Sequence, residues 1–247
     1  MKILFLDIET TPNLVWTWRL YKPFIQPSMI VKPASILCVG MQEGAGQPVK
    51  VLSVWNDGFN TMIRRTHRAM SEADVYITFY GTEFDEPRLN QEFIKLGLSP
   101  PPPNAHIDLK KVVAKKFRLA SNKLAHVAPY FGLEKKVSAG VDFDLWLGCI
   151  NSDKKAQKLM EVYNAQDVAL LEPLYQKLLP WIERHPNMGH WAPGLVCSSC
   201  GSADLISNGV RRAQTYTYRR LQCRACGKWS RERLSLRGVE KPQTVGL

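Results

Sequence analysis

Long apolar runs are absent from this chain of 247 residues. The longest are strand-sized and broken by Asp, Glu or Lys, which excludes a membrane-spanning helix of about 20 residues. No internal repeat occurs, so repeat architectures are excluded. The first residues lack a signal-peptide pattern, because Lys2 and a short apolar stretch lead directly into Asp7 and Glu9 with no small-residue cleavage site. The expectation is a cytoplasmic protein. Histidine is scarce, and His67, His106, His126, His185 and His190 show no metal-ligand spacing with the acidic residues discussed below, so they are assigned no role. Cysteine is sparse too, at six residues, four of which are paired in a pattern taken up later.

What is present is ordinary for a globular protein: 45% apolar and 22% charged residues. The length suits one or two domains, one substantial core and a small module. The net charge of +11 is unevenly spread. Residues 194–247 hold ten Lys/Arg against three Asp/Glu, a net +7, whereas residues 1–193 hold 23 against 19, a net +4. A basic C-terminal part points to a polyanionic partner.

Strand-like segments rich in Val, Ile, Leu, Phe and Tyr lie near 2–8, 35–42, 49–55 and 74–80. Residues 59–72 have helical spacing through Met62, Ile63, Thr66 and Met70. Beyond residue 84 the pattern is mostly helical, near 84–97, 108–117, 122–131 and 153–183, with Pro173 expected to divide the last segment. Three strands, a helix and a further strand predict an α/β sheet. Pro100 to Pro103 form an extended connector. The Pro- and Gly-containing stretch 186–196 reads as a linker.

The apolar run Ile3–Leu6 ends in Asp7-Ile8-Glu9. In a strand, residues i and i+2 share a face, so both carboxylates project together. Two adjacent negative charges at the end of a buried strand repel and resist desolvation, which divalent cations would relieve. Asp85 follows the strand ending at Tyr80, at the start of a helix, where open α/β sheets collect functional groups. Tyr163 and Asp167, at i and i+4, share one helix face. Asp7, Glu9, Asp85 and Asp167 are thus expected to converge. An all-oxygen ligand set favours magnesium or manganese, and two such ions suit phosphodiester hydrolysis. Asp7 is expected to bridge the ions, Glu9 and Asp167 to hold the ion on the water side, and Asp85 to act through water. Tyr163, with an ordinary pKa of about 10, is suited to orienting the attacking water rather than ionising it.

On Asp7-Ile8-Glu9-Thr10, Phe84-Asp85 and Tyr163-Asn164-Ala165-Gln166-Asp167, residues 1–185 resemble the DEDD, or DnaQ-like, superfamily of 3′-to-5′ exonucleases, whose fold is ribonuclease H-like. The likeness is nearest to the proofreading exonuclease domain of family B DNA polymerases. Supporting strings are Ile107-Asp108-Leu109, Leu124–Ala128, Phe131-Gly132-Leu133 and Lys135-Lys136. Tyr163 implies the tyrosine subgroup. The resemblance implies a mixed sheet flanked by helices, two bound Mg²⁺ or Mn²⁺ ions and hydrolysis from the 3′ end of a nucleic acid, single-stranded DNA ahead of RNA. With no polymerase domain in the chain, proofreading implies a replication or repair partner. The family usually carries Asn where this chain has Tyr80, a position that holds the substrate strand. Tyr80 either stacks on a base or packs on the core.

Cys197-Ser198-Ser199-Cys200 and Cys223-Arg224-Ala225-Cys226, each followed by Gly, have the spacing of a structural zinc site. Four thiolates close a tetrahedral Zn²⁺, leaving no position for catalysis. Two disulfides, or a redox C-x-x-C, are the alternatives; the first is disfavoured in a reducing compartment and the second lacks a βαβ context. The module resembles a β-rich zinc ribbon. Val210–Leu221 alternates partly like a hairpin, with Gln214, Tyr216 and Tyr218 on one side. Arg211, Arg212, Arg219, Arg220, Arg231 and Arg233, interleaved with Tyr218 and Trp229, suit phosphate contact and base stacking, although Trp229 serves equally as packing for the limited core of a small ribbon. Cys38 and Cys149 read as buried thiols.

The expected organisation is an exonuclease domain over 1–185, a linker over 186–196, a zinc ribbon over 197–236 and a flexible tail over 237–247. A catalytically weak nucleic-acid-binding adaptor is the alternative, motivated by Tyr80. An endonuclease or recombinase-type relative is a third reading, opposed by the Tyr163 motif.

Overall fold

The computed structural model describes residues 1–21, 23–134 and 141–236. The expected tail 237–247 and the pair Lys135-Lys136 lie outside the described residues. The chain divides into two compact units, Lys2–Leu174 and the residues from Tyr175 onward.

In the larger unit, β1 (Ile3–Thr10) is followed by the short strands β2 (Leu14–Val15) and β3 (Ile30–Lys32), then β4 (Ile36–Glu43) and β5 (Lys50–Ser53). Helix α1 (Phe59–Glu72), β6 (Val75–Thr78), α2 (Asp85–Lys95), β7 (Ala105–Asp108), α3 (Leu109–Lys116), α4 (Leu124–Tyr130), α5 (Phe143–Ile150) and α6 (Lys154–Leu178) complete it, the last turn of α6 belonging to the second unit. The main sheet has the order β5-β4-β1-β6-β7. β1 runs antiparallel to β4 and parallel to β6, so the sheet is mixed. β1 is central because it is apolar on both faces: Leu4, Phe5, Leu6 and Ile8 are all buried.

The two faces carry different helices. Leu4, Leu6, Ile8, Val39 and Met41 pack with Met62, Ile63 and Met70 of α1 and Leu89 and Phe93 of α2. Leu37 and Cys38 pack with Leu145 and Cys149 of α5 and Met160 of α6. Helices on both faces of a mixed sheet give the ribonuclease H-like α/β architecture that the motifs imply.

Pro173 does not divide the last helix. α6 continues through it. A proline inside a helix removes one backbone hydrogen bond and costs ~3 kcal/mol, and the buried side chains Val168, Leu171, Leu174 and Leu178 hold the helix regardless. β7 and α5 escape the sequence pattern because β7 has only four residues and α5 is apolar almost all round.

The second unit holds a three-stranded sheet, β10-β9-β8, built from β8 (Leu205–Arg212), β9 (Thr217–Cys223) and β10 (Trp229–Arg231). The hairpin turn spans residues 213–216, closed by Ala213 N–H to Tyr216 O at 2.8 Å, so Gln214 and Tyr216 belong to the turn and not to the alternating strands. Within the same unit, Lys228 Nζ donates to Ile182 O at 2.6 Å. The stretch 186–196 contains a 3-10 turn at Met188–His190, and Met188 N–H reaches Ser198 O at 2.9 Å. Among the described residues no helix is long and apolar enough to cross a membrane.

Candidate metal centre and nucleic-acid interface

The alternation of side chains along β1 puts Asp7 and Glu9 on the face opposite Leu6 and Ile8. α6 crosses that face. Carboxylate oxygens of Asp7, Glu9 and Asp167 lie within 4.8 Å of one another. Such closeness is unfavourable for three anions unless cations intervene, and an oxygen-only donor set suits hard divalent ions. The donor chemistry therefore fits Mg²⁺ or Mn²⁺ at this point.

Asn164 supports the cluster. Its side-chain amide is fully buried and donates to Asp7 Oδ2 at 2.8 Å and to Asp7 O at 3.3 Å. Gly40 makes room for it. Gly40 is the register partner of Asp7, and a Cβ there would sit 2.6 Å from Asn164 Oδ1 and 2.7 Å from Val168 Cγ2. A bare strand position thus allows α6 to approach the sheet. A glycine within a strand marks such an approach, and Ile36-Leu37-Cys38-Val39-Gly40-Met41 carried that signal in the sequence.

Tyr163 lies one turn before Asp167 and is half-buried. Trp146 of α5 packs against its ring, edge to face, with centroids 6.2 Å apart. Glu161, also on α6, accepts from Ser53 Oγ at 3.0 Å and Trp55 Nε1 at 2.7 Å, tying the helix to the end of β5.

Asp85 falls outside the 4.8 Å group. It is buried, and its Oδ1 accepts the backbone N–H of Ile8, between the two β1 carboxylates, at 2.9 Å. Burial pushes its pKa up to about 7, against the lowering effect of its backbone hydrogen bonds. The preceding loop is shaped by Asp108 at the end of β7. Its carboxylate accepts from Tyr80 N (2.9 Å), Thr82 Oγ1 (2.6 Å) and Lys110 N (3.0 Å). That cradle holds Tyr80 at φ +78°, a conformation that aromatic residues rarely adopt. Gly81 is required there because a Cβ would meet Thr78 Oγ1 at 2.3 Å. Tyr80 is half exposed, and Lys110 Nζ sits 3.4 Å from its ring centroid.

Cys38 lies buried beside Glu9 in the β-ladder, and burial followed by the Glu9 and Asp7 carboxylates raises its thiol pKa. Cys149 is likewise buried, its pKa pushed up to about 11 chiefly by burial. Both stay neutral thiols.

Sγ atoms of Cys197, Cys200, Cys223 and Cys226 come within 4.8 Å of one another. Cys197–Cys226 and Cys200–Cys223 separations are each 3.6 Å, near the ~3.8 Å edge of a tetrahedron with Zn–S bonds of about 2.3 Å and far beyond a disulfide bond. The two halves share one backbone design. Gly201 N–H donates to Cys197 O at 3.0 Å and Gly227 N–H to Cys223 O at 2.9 Å. Both glycines have positive φ, +76° and +80°, which explains Gly after each C-x-x-C. Four thiols and the three-stranded sheet fit a zinc ribbon.

The ribbon arginines divide into two groups. Arg219 pairs with Glu232 at 3.4 Å, Arg220 Nε donates to Asn208 O at 2.7 Å, and Arg231 Nη1 donates to Glu232 O at 3.0 Å. Arg231 also lies 3.9 Å from the Tyr218 ring centroid and Arg220 4.8 Å from that of Trp229. These three guanidinium groups make contacts within the ribbon. Arg211, Arg212 and Arg233 have no such ties among the described residues.

Residues 31–179 match the sequence model of the RNase_H superfamily. The chain belongs to the RNase_H superfamily. Protein NEN3 of Arabidopsis thaliana is 28% identical over 134 residues, 53% of this chain and 23% of that protein. The family B DNA polymerase from the hyperthermophilic archaeon Pyrobaculum calidifontis shares the fold, with a TM-score of 0.54 and 20% identity over 72% of this chain and 24% of that one. This RNase_H-superfamily chain thus spans about a quarter of the length of either protein. The DnaQ-like resemblance read from the three motifs agrees with both family and fold.

Proposed function

We propose that this protein is a metal-dependent 3′-to-5′ exonuclease acting on single-stranded DNA. The observation that carries the reading is the convergence of Asp7, Glu9 and Asp167 within 4.8 Å, from a strand and a helix more than 150 residues apart in sequence. A pair of divalent ions bound there would polarise the phosphate, activate water and stabilise the leaving oxygen. Asp7, Glu9 and Asp167 supply the ligands. Asn164 fixes the orientation of Asp7, and Asp85 contributes by holding the Ile8 backbone between the two β1 carboxylates. Tyr163 offers a hydroxyl to orient the water.

The ribbon takes one structural Zn²⁺ and contributes affinity. Arg211, Arg212 and Arg233 are its phosphate contacts in this reading, giving binding that weakens with salt. A replication or repair protein is the partner class that would bring such an enzyme to its substrate.

The test is digestion of single-stranded DNA and RNA labelled at either end, with Mg²⁺ or Mn²⁺. Shortening from the 3′ end supports the reading and ranks the substrates. Strands that are bound but left intact would replace it with the adaptor.

A further inference from the structure

The chain leaves β1 at Thr10, directly after Glu9, and enters a hairpin between β2 and β3 whose aromatic side chains point to solvent. Trp18 is fully exposed, and Trp16, Tyr21 and Phe24 are exposed between 77% and 87%. Their exposure is not a consequence of a loose attachment. Thr11 N–H donates to Ser35 O at 2.8 Å, Ala34 N–H to Asn13 Oδ1 at 2.7 Å, and Trp16 N–H to Met29 O at 2.9 Å. These bonds tie the two legs of the hairpin to each other, beginning at the residue that follows β1. Large exposed rings clustered in this way mark a binding surface.

The charges of the segment select the occupant. Between Glu9 and Glu43 the sequence has no acidic residue, while Arg19, Lys22 and Lys32 supply three cations. Rings with an uncompensated positive charge suit a flexible polyanion that offers flat bases, and stacking of bases on aromatic side chains is tolerant of sequence. A second copy of the chain would bring like charges together in a two-fold contact, which is unfavourable. Duplex DNA keeps its base faces within the stack, out of reach of the rings.

Resting on the reading of nucleic acid as substrate, we propose that this hairpin is a strand-holding arm. Trp16, Trp18, Tyr21 and Phe24 stack on bases of single-stranded DNA, and Arg19 contacts its phosphates. Because Trp16 is seven residues from Glu9 in sequence, the arm lies within roughly 25 Å of the carboxylate cluster along the chain. It grips the strand while its terminus occupies the metal centre.

The test is fluorescence anisotropy of the full chain with a labelled oligodeoxythymidylate, comparing wild type with Trp16→Ala/Trp18→Ala, in calcium to limit hydrolysis. Loss of two stacked bases weakens Kd at least about 30-fold, with binding to duplex DNA and the thermal midpoint unchanged. Trp16→Phe/Trp18→Phe should recover most of the affinity. Trp18→Ala alone, whose ring has no packing to lose, should show a several-fold effect if the double variant is poorly folded. Equal oligonucleotide affinity in wild type and Trp18→Ala would overturn the arm, as would a wild-type dimer that the tryptophan substitutions dissociate. The underlying reading fails separately: a wild type that binds through the arm but never hydrolyses DNA removes the exonuclease and keeps the arm.

Discussion

Asn164 Nδ2 donates to Asp7 Oδ2 at 2.8 Å, joining a helix to the carboxylate expected to bridge the metal ions. The bond holds Asp7 Oδ2 and restrains rotation of its carboxylate. Replacing Asn164 with Ala should lower Mn²⁺ affinity by about 10- to 100-fold, as loss of a ligand's supporting hydrogen bond does. Titration calorimetry would read this directly. Unchanged affinity in a folded variant would mean that Asp7 is positioned by other contacts.

Gly40 faces Asp7 across the ladder and has space for no Cβ, with Asn164 Oδ1 at 2.6 Å. Gly40→Ala should therefore destabilise by ~1–3 kcal/mol through overpacking and reduce Mn²⁺ affinity, because the side chain of Asn164 is displaced along with that of Val168. A thermal melt beside the metal titration checks both. A loss of stability with intact affinity would show that the helix shifts as a whole.

The thiolate cluster of Cys197, Cys200, Cys223 and Cys226 makes the ribbon dependent on its ion, since structural zinc provides ~10–16 kcal/mol to small modules. Strong chelation should release a single zinc, measured with a chromogenic indicator. Amide exchange should become rapid in β8–β10 while β1 and β4 of the other unit stay protected. Loss of protection across both units would contradict this independence.

His106 bridges Thr78 Oγ1 and Glu86 Oε2 at 2.8 Å each. Burial lowers its pKa, outweighing the raising effect of Glu86. The unfolded chain, with an ordinary pKa of about 6.5, then takes up a proton before the folded one does. Its contribution to stability is present above about pH 6.5 and is lost as pH falls through the lower folded value. Acidification from about pH 7 to about pH 5 should remove the His106 contribution, read as the difference in denaturant midpoint between wild type and His106→Gln, while Asp85 with its raised pKa acts in the opposite direction in both proteins. An equal slope in the variant would assign the acid sensitivity elsewhere, His185 being the next candidate because burial lowers its pKa too.

Strong periodicity and chemistry were legible in the sequence. The α1 boundaries at Phe59 and Glu72, the apolar β1 ending in Asp7 and Glu9, and the cysteine spacing follow from local patterns. The structure adds what depends on tertiary packing. Nothing local distinguishes Asn164 from its helical neighbours until α6 lies on β1, and Gly40 has a role only opposite Asn164. Asp85, expected to act on the metals through water, also accepts the Ile8 amide, a contact between α2 and β1 that no local pattern announces. Histidines without metal spacing still acquired roles, His106 by pairing with Glu86 and stacking on Tyr76 at 4.2 Å. Pro173 shows the converse, a local helix breaker overridden by the buried face around it.

The most direct measurement is hydrolysis of end-labelled single-stranded DNA by wild type and Asp7→Asn in Mg²⁺, with oligonucleotide binding and zinc content measured on the same samples. Asp7→Asn keeps the shape of the side chain and removes its charge. The account predicts stepwise 3′ shortening by wild type, loss of at least a thousandfold in rate for the variant, and unchanged binding and zinc. Equal rates in the two proteins would contradict it, because the carboxylate cluster would then not be where the reaction occurs.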